Sequence, residues 1–368
     1  MKITVERAPF LDAVSKLQKV VSTKTSMPIL EGILLSAEKG ILTLATYNLE
    51  MGMKKEMYAN CEEPGDIVIN VRLLSEILRK LSGLQVEIEC DNKLTCSIRS
   101  GEAVFEIMGM NAEDFPEMPS VSDGNKFKID SKVFCDLVRG TIFAVSQVEG
   151  TRPILTGINI SVSDNVLQFV AIDGYRLAIR REKINGIDDL QFTASGKAVN
   201  EIVKLISEET KEIDFIVGKR LFSAVVDGYV FISRLLEGEF VNYEKIIPSS
   251  FSNEMKVNAN ELIESVDRVS LLISDVFSTP VRCTLSESIL ILNCITTLGR
   301  ANEKVNISLS GEEFEIGLNS KYLSEALKAC DEGNIKFKLN GANSGVVIVS
   351  ADEENKDFLY LIMPMRIK

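Results

Sequence analysis

The chain has 368 residues, 45% of them apolar, with a formal net charge of −12 and an isoelectric point near 4.9. This length suffices for two or three domain cores, and the acidic balance excludes loose binding of nucleic acid or acidic membranes over the whole surface, although a local basic surface is not excluded. The absence of histidine excludes Ser-His and Cys-His nucleophile pairs and the commonest zinc ligand. Seven scattered cysteines without a Cys-x-x-Cys pair fit small apolar fillers in a reducing compartment.

Residues 1–6 predict a β-strand rather than a signal peptide, and an amphipathic helix follows this strand. No apolar run approaches the roughly 18 residues that a membrane-spanning helix needs. The strand-to-helix pattern recurs twice, because residues 5–22, 129–146 and 257–274 align without a gap. The coinciding apolar positions are Phe10, Phe134 and Leu262; Val14, Val138 and Val266; and Val21, Val145 and Ile273.

A β-hairpin is predicted after each of these helices, over residues 32–45, 157–170 and 282–292. A second helix follows in each repeat, over residues 70–81, 195–205 and 319–329. Asn70, Ser195 and Asn319 open the three copies as N-caps. Apolar residues then recur at helical spacing, which indicates one buried face on each second helix.

The opposite face of each second helix carries a cation, a carboxylate and a cation at positions i, i+4 and i+7. The residues are Arg72, Glu76 and Arg79; Lys197, Glu201 and Lys204; and Lys321, Glu325 and Lys328. A single stripe of this kind is typical of a solvated helix face with i, i+4 pairing. Three copies of the same stripe indicate one shared task.

Each repeat closes on a proline, at Pro119, Pro248 and Pro364, and small polar residues cluster after the first two. We therefore predict three domains, at residues 1–122, 123–250 and 251–368. Each is expected to be an α+β unit with two helices on β-sheet, the apolar helix face buried and the charged stripe in solvent.

Five segments in register with the threefold repeat carry a resemblance to a known family. They are residues 114–116 (Asp-Phe-Pro), 151–157 (Thr-Arg-Pro-Ile-Leu-Thr-Gly), 173–178 (Asp-Gly-Tyr-Arg-Leu-Ala), 233–238 (Ser-Arg-Leu-Leu-Glu-Gly) with 242–248 (Asn-Tyr-Glu-Lys-Ile-Ile-Pro), and 363–367 (Met-Pro-Met-Arg-Ile). In this combination the chain resembles the bacterial sliding clamps, the β subunits of DNA polymerase III, over essentially all of its length. The resemblance implies the DNA-clamp fold and a head-to-tail dimeric ring of six domains. It also implies a non-catalytic function: the ring encircles duplex DNA and tethers the replicative polymerase, which confers processivity.

A ring around DNA needs only a weakly attractive lining, because topology prevents escape and contacts to phosphate do not read bases. The stripes supply the candidates Arg72, Arg79, Lys197, Lys204, Lys321 and Lys328. The resemblance adds Lys24 and Gln147 on loops at the ring face. Lys24 stands where the family often has arginine, so the charge is kept and the fork geometry is lost.

The resemblance also implies an apolar pocket between the second and third domains, into which partner proteins insert a short peptide. Its expected lining is Arg152, Leu155, Ile172, Gly174, Tyr175, Arg176, Leu177, Val241, Ile246, Leu361, Ile362, Met363, Pro364, Met365 and Arg366. From the pattern alone, most of these residues also fit an ordinary domain core. Ile172 replaces a usual threonine and Val241 a usual proline, so the peptide preference is expected to differ while the pocket persists.

For the dimer interface, the resemblance pairs Phe105 and Ile107 of one chain with Leu272 and Ile273 of the other. Packing inside their own domain is the alternative for Leu272 and Ile273, since they lie at the end of a repeated helix. The expected partners are duplex DNA, a second copy, the DNA polymerase III catalytic subunit, the clamp loader and other proteins with a clamp-binding motif, in the cytoplasm at the nucleoid and without a membrane.

Two other functions are compatible with parts of the sequence. An enzyme would need a carboxylate or magnesium site. The sequence around Asp188 and Asp189 is typical of a solvated loop, and that around Asp173 is typical of a turn. The sequence contains no Gly-rich phosphate loop and no motif with metal-ligand spacing. We therefore expect no catalytic residue, metal or cofactor. A protein-interaction scaffold that does not encircle DNA is the second alternative, because the first helix of the third repeat is acidic. That helix carries Glu261, Glu264 and Asp267 against Arg268 alone.

Overall fold

The computed structural model describes residues 1–22, 25–148, 152–276, 279–331 and 333–367. Within these residues the chain forms two compact units, one of residues 1–131 and 200–235 and the other of residues 132–199 and 236–368. The α-helices are α1 (Arg7–Leu17), α2 (Val71–Lys80), α3 (Ser131–Arg139), α4 (Gly196–Val203), α5 (Ala259–Ser270) and α6 (Ser320–Lys328). None of the helices in these ranges has the length and apolarity needed to cross a membrane.

The strands follow one order of elements three times, as the sequence predicts, with β5 as an additional strand in the first repeat. In the first repeat they are β1 (Lys2–Glu6), β2 (Gly32–Glu38), β3 (Ile41–Tyr47), β4 (Met51–Tyr58), β5 (Asn60–Glu63), β6 (Gly65–Asn70), β7 (Gln85–Cys90), β8 (Thr95–Ser100) and β9 (Ala103–Met108). In the second they are β10 (Asn125–Asp130), β11 (Gly157–Ser163), β12 (Val166–Ile172), β13 (Arg176–Lys183), β14 (Leu190–Ser195), β15 (Glu212–Val217), β16 (Leu221–Val226) and β17 (Tyr229–Arg234). In the third they are β18 (Asn253–Asn258), β19 (Val281–Leu285), β20 (Ile289–Thr296), β21 (Gly299–Ser310), β22 (Phe314–Leu318), β23 (Asn334–Leu339), β24 (Val346–Ser350) and β25 (Phe358–Ile362).

The first unit contains two antiparallel sheets. A five-stranded sheet has the order β5-β1-β7-β8-β9, and an eight-stranded sheet has the order β10-β15-β16-β17-β4-β3-β2-β6. In the second sheet β4 of the first repeat pairs with β17 of the second repeat. The first two repeats are thus joined by hydrogen bonds between strand edges.

The second unit is built on one twelve-stranded sheet, with the order β14-β11-β12-β13-β25-β24-β23-β18-β21-β20-β19-β22. Here β13 of the second repeat pairs with β25 of the third, which is the same kind of joint as β4 with β17. Because sheets continue from one repeat to the next, the compact units follow the strand pairing rather than the repeats. The domain boundaries at residues 122 and 250 stay a prediction.

The three second helices begin where the sequence predicts. The side chain of Asn70 accepts a hydrogen bond from the backbone N–H of Leu73 (3.1 Å), and Ser195 Oγ accepts one from Ala198 (3.1 Å). Asn319 Oδ1 accepts from two backbone N–H groups of α6, at 3.0 and 3.2 Å. Each cap satisfies a donor that the first helical turn leaves free. The faces that follow are buried, as predicted; the fully or almost fully buried residues include Leu74, Leu78, Val199, Ile202, Leu323 and Leu327.

The charged stripes are only partly exposed. The six cations and Glu76 lie in solvent, but Glu201 is buried and Glu325 is half-buried. Glu201 Oε1 accepts a hydrogen bond from Lys204 Nζ (2.7 Å), which compensates part of the cost of burying this carboxylate. Glu325 pairs with the buried Arg176. The prediction that each whole stripe stays in solvent is therefore wrong for these two carboxylates.

Candidate partner and nucleic-acid interfaces

Several residues of the predicted peptide pocket lie together on an apolar surface of the second unit. Ile172, Leu177 and Leu361 are buried in one hydrophobic cluster, and Leu155 packs against that cluster. The residues come together because β12, β13 and β25 are neighbours in the sheet, with Ile172 opposite Leu177 and Leu177 opposite Leu361. Ile362, the next residue of β25, is also buried. These side chains form an apolar floor.

Exposed apolar side chains lie at the edge of this floor. Tyr175 is 64% exposed, Ile246 40% and Met363 38%. The backbone N–H of Met363 donates to the carbonyl oxygen of Tyr175 (2.8 Å), so the C-terminal tail is fixed beside the turn that carries the tyrosine. Arg152 and Arg366 are exposed as well. An exposed apolar rim around a buried apolar floor suits a partner's apolar side chain.

The tail itself is held to the sheet. Pro364 and Met365 are half-buried, and the backbone N–H of Met365 donates to the carbonyl oxygen of Gly317 (2.8 Å) in an antiparallel bridge. Gly317 suits this position because a Cβ there would come within 2.7 Å of the Met365 carbonyl oxygen. The end of the chain is therefore part of the surface rather than a free tail.

The turn before β13 has a conformation that its sequence explains. Gly174 has a positive φ of 94°, which favours glycine, and Asp173 Oδ1 accepts from the backbone N–H groups of Tyr175 (2.9 Å) and Arg176 (3.0 Å). This confirms the interpretation of Asp173 as a turn residue. The turn presents Tyr175 to solvent while directing the next side chain inward.

Arg176 was expected to line the pocket, but its guanidinium is buried and already paired. Its Nε donates to Asp173 Oδ2 (2.9 Å), its Nη1 pairs with Glu325, and its Cζ lies 4.3 Å from the centre of the Tyr322 ring. Burial, and next the nearby Asp173 carboxylate, raise the pKa of the Tyr322 phenol. Arg176 therefore positions the turn of Tyr175 and is not an open contact for a peptide.

The segment between the second and third repeats also packs against the hydrophobic cluster that contains Ile172, Leu177 and Leu361. Phe240, Tyr243 and Ile247 pack against it, while Val241 is half-buried. The Tyr243 hydroxyl accepts a hydrogen bond from Gln168 Nε2 (2.7 Å). Val241 and Ile246 were predicted to line the pocket, whereas Phe240 and Tyr243 were not. Two aromatic residues close together after β17 were the signal that a buried apolar surface lies beneath them.

The six cations predicted to face DNA are exposed in their own units. Arg72, Arg79 and Lys204 belong to the first unit, and Lys197, Lys321 and Lys328 to the second; Gln147, also exposed, lies in the second unit. Lys24 lies outside the described residues.

Their ion pairing differs. Lys204 pairs with Glu201 (2.7 Å) and Lys328 with Asp267 of α5 (3.0 Å). The other four cations, two arginines and two lysines, form no ion pair with any residue that the structure describes. They keep their full charge for a phosphate.

The residues predicted for the dimer lie on or near two free strand edges. In the first unit β9 is the outer strand of its sheet, with Val104 55% and Phe105 36% exposed and Ile107 half-buried. In the second unit β21 pairs with β20 from Gly299 to Asn306, whereas β18 pairs only with its last residues, from Ile307. Within the described residues, the second edge of β21 is free before residue 307. Leu272 and Ile273 are half-buried just beyond α5.

The described residues contain no group of three or more Cys, Asp or Glu side chains arranged to hold a metal ion. Asp188 and Asp189 lie exposed in a loop, as the sequence indicates. These surfaces show exposed apolar side chains beside a buried apolar cluster, exposed cations, and free strand edges that include those of β9 and of the first part of β21.

Comparison with known proteins gives one consistent result. Family models of the DNA polymerase III beta subunit match along the chain: the N-terminal domain at residues 1–119, the central domain at 128–242 and the C-terminal domain at 244–366. The beta sliding clamp of Bacillus subtilis is 31% identical over 379 residues and that of Halalkalibacterium halodurans 30% over 381, with all of both chains covered in each case.

Solved structures show the same similarity. The DNA polymerase sliding clamp of Bacillus subtilis matches with a TM-score of 0.95 at 28% identity over 100% of both chains. A DnaN sliding clamp of Pseudomonas aeruginosa bound to griselimycin matches with a TM-score of 0.91 at 26% identity, again over 100% of both chains. The chain therefore belongs to the bacterial DNA polymerase III β subunit family, the sliding clamps, and has their α+β clamp fold and their non-catalytic, accessory role in DNA replication.

Proposed function

We propose that two copies of this chain pair head to tail around duplex DNA and hold partner proteins by short peptides bound in the apolar cleft of the second unit. The polymerase III catalytic subunit, the clamp loader and other proteins with a clamp-binding motif are the partners, in the cytoplasm at the nucleoid. The observation that carries this function is the cleft: a buried floor at β13 and β25 with exposed apolar side chains beside it.

The cleft favours a peptide with one or two apolar anchors. Ile172, Leu177 and Leu361 offer no polar group for recognition, so affinity comes from apolar area removed from water. Arg152 and Arg366 are exposed and suit acidic or carboxylate groups at the ends of the peptide. Val241, where the family has proline, leaves the linker backbone freer, and this shifts the preference among peptides rather than removing the cleft.

Binding of a fluorescein-labelled peptide copied from the clamp-binding segment of the polymerase tests the cleft. We expect Met363→Ala to weaken binding about 10-fold, as for a truncated apolar hot spot, because Met363 is an exposed apolar residue at the rim. Leu84→Ala is the matched control, since Leu84 is 87% exposed but lies in the first unit. Equal peptide affinity for both variants and the wild type would remove the cleft from the proposal.

The ring follows from the two open strand edges. Within the chain, strands at the same place in the first and second repeats, β4 and β13, each pair with the last strand of the next repeat. In the third repeat, the strand that corresponds to β4 and β13 is β21. In the first repeat, the strand that corresponds to the last strands β17 and β25 is β9. An open edge of each kind is therefore left per chain, and pairing β21 with β9 of a second copy would satisfy both.

The dimer contact then includes the predicted residues. Phe105 and Ile107 lie on β9, and Leu272 and Ile273 lie in the second unit close to β21, since a Cβ at Gly299 would be 4.0 Å from Leu272. Exposed apolar residues enlarge this surface; they are Val104 and Met108 in the first unit and Leu271, Ile295 and Leu298 in the second. Six domains, three per chain with boundaries at residues 122 and 250, would close the ring.

The exposed cations of the second helices supply the DNA contact. Arg72, Arg79, Lys197 and Lys321 carry free charges, and Lys204 and Lys328 carry charges shared with a carboxylate. Gln147 and Lys24 extend this contact through their loops. Such a lining attracts phosphate without reading sequence, and the acidic remainder of the chain disfavours DNA elsewhere.

A further inference from the structure

Two of the seven cysteines lie directly opposite each other in the five-stranded sheet. Cys90 is the last residue of β7, Cys96 is the second residue of β8, and the two are register partners. The Cys90 thiol donates a hydrogen bond to Cys96 Sγ, with 2.7 Å between the sulfurs.

The backbone at this pair has the geometry that a cross-strand disulfide requires. The N–H of Cys90 donates to the carbonyl oxygen of Met1 (2.9 Å), and its own carbonyl oxygen accepts from the Met1 amino group (3.2 Å). Both polar groups of Cys90 therefore face away from β8, which makes Cys90 and Cys96 a non-hydrogen-bonded pair. In such pairs the Cα atoms are about 4.5 Å apart, inside the range of about 4.4–6.8 Å that disulfides span.

The connecting turn holds this register. Asp91 Oδ1 accepts from the backbone N–H groups of Lys93 (2.8 Å) and Thr95 (2.9 Å), and the Asp91 N–H donates to the Thr95 carbonyl oxygen (3.0 Å). A one-residue slip of the hairpin would break the two bonds between Asp91 and Thr95. The two sulfurs are thus kept in contact by the fold and do not meet by chance fluctuation.

The surroundings of the two thiols differ. Cys96 has no exposed surface and packs against Gly109, whereas Cys90 is 9% exposed at the end of its strand. The hydrogen bond from Cys90 lowers the pKa of the Cys96 thiol, and the same bond together with burial raises the pKa of the Cys90 thiol. Solvent reaches the pair at the Cys90 end.

We propose that Cys90 and Cys96 form a reversible redox modification site, at which a small hydroperoxide produces a cross-strand disulfide. In the first step the thiolate of one of the two cysteines attacks one peroxide oxygen, the O–O bond breaks, and a sulfenic acid and hydroxide are formed. In the second step the sulfur of the other cysteine attacks the sulfenic sulfur, the S–O bond breaks, and the departing hydroxide takes the proton of that second thiol as water. Overall, two thiols and one hydrogen peroxide give one disulfide and two waters, so the sulfurs lose two electrons and the peroxide gains them.

The position gives this chemistry a structural consequence. On the side opposite Cys90, Cys96 is the register partner of Ile107 on β9. A disulfide would therefore fix the strand that supports the open edge of the sheet. The chemistry of the pair does not depend on what that edge binds, so the redox site can be tested apart from the proposed dimer.

The test uses the folded wild-type chain treated with hydrogen peroxide, quenched with catalase, denatured with an alkylating reagent and mapped by peptide mass. We expect the peptide that contains both cysteines to lose two hydrogens and both alkyl groups, and to regain both thiols after dithiothreitol. Sulfoxidation of Met27, which is 43% exposed and lies outside the proposed dimer contact, reports that the peroxide dose was sufficient.

Variants identify the pair. Cys90→Ala and Cys96→Ala should each abolish the mass change, whereas Cys61→Ala, at a half-buried cysteine, should keep it. If both thiols of the wild type are still fully alkylated once Met27 is oxidised, or if either cysteine ends as a sulfinic acid or joined to another cysteine, the proposed site is overturned.

Discussion

A single buried guanidinium determines the shape of the cleft rim. Arg176 bonds Asp173 and Glu325 at once and lies over the Tyr322 ring, so the turn that carries Tyr175 is tied to α6. Arginine suits this task because its planar fork satisfies two carboxylates in fixed directions, which lysine cannot do. Arg176, which the resemblance placed among the pocket-lining residues, thus acts by positioning its neighbour Tyr175.

Replacement of Arg176 by methionine should be strongly destabilising. The change removes the positive charge and leaves the 11%-exposed Asp173 side chain without its partner, so we expect the free energy of unfolding to fall by about 3–5 kcal/mol in urea titrations. Arg99→Met is the control, because Arg99 is half-exposed and its two ion pairs are 3.6 Å long, and its loss should cost less than about 1 kcal/mol. Similar losses for the two variants would contradict the positioning role.

Sequence reasoning is reliable for side chains whose partners are near in the chain and weak for those whose partners are far away. The caps Asn70, Ser195 and Asn319 were predictable because each bonds within three residues. The second carboxylate partner of Arg176, Glu325, lies 149 residues away on α6, and the sequence around either residue does not indicate this pairing. The apposition of Cys90 and Cys96 was missed for a related reason, since a spacing of six becomes a pair only when the turn has set the register.

At the level of elements, the same joint between strands is used in each sheet that crosses a repeat boundary. The pairs β4 with β17 and β13 with β25 repeat one design. We propose that β9 and β21 are the two halves of a third such joint. The sequence predicted the helices and hairpins because their periodicity is local. It could not show which strand edges meet, because both faces of such a joint look like ordinary strand.

Proline at residue 106 should break the dimer without breaking its own sheet. Because Cys96 forms a non-hydrogen-bonded pair with Cys90, its backbone groups point to β9, where its register partner is Ile107. The N–H of Ile107 therefore points to β8, and the N–H of the neighbouring Glu106 points to the open edge. Glu106→Pro removes this donor and places a ring on the edge, while Glu106→Ala keeps the donor. In sedimentation we expect a monomer for the proline variant and a dimer for alanine. A dimer with unchanged affinity for both would exclude pairing through β9.

For the whole molecule, the balance of charge decides how DNA is held. A chain of net charge −12 does not grip DNA strongly, and the lining cations of the third repeat include Lys328, which Asp267 partly neutralises. Retention must then come from enclosure rather than affinity. This distinguishes a ring from a protein-interaction scaffold, which would not be loaded at all.

Topology makes the enclosure measurable. After loading by a clamp loader, we expect the wild type to stay on nicked circular DNA in a gel-filtration assay and to leave when the circle is cut, because a ring slides off free ends. The same DNA cut before loading serves as the control. Equal retention on circular and linear DNA would support simple adhesion, and failure to load would support the scaffold.

The charge of the lining can be tested separately with short duplex DNA. Lys197→Glu combined with Lys321→Glu should weaken binding and flatten the dependence of log K on log salt, by about 0.9 for each phosphate that the variant no longer neutralises. Lys39→Glu with Lys93→Glu changes the net charge equally at exposed turns outside the second helices. If the two double variants bind alike, net charge and not the lining sets the affinity.

The complementary strand edges of a single chain have one more consequence. A subunit that carries the edge of β9 at one end and the edge of β21 at the other has a direction, and a closed circle of such subunits has two unlike sides. In the ring that we propose, both copies of the cleft would open on the same side, so two partner proteins could be tethered together and exchange by a local handover, at an effective concentration far above that in bulk solution.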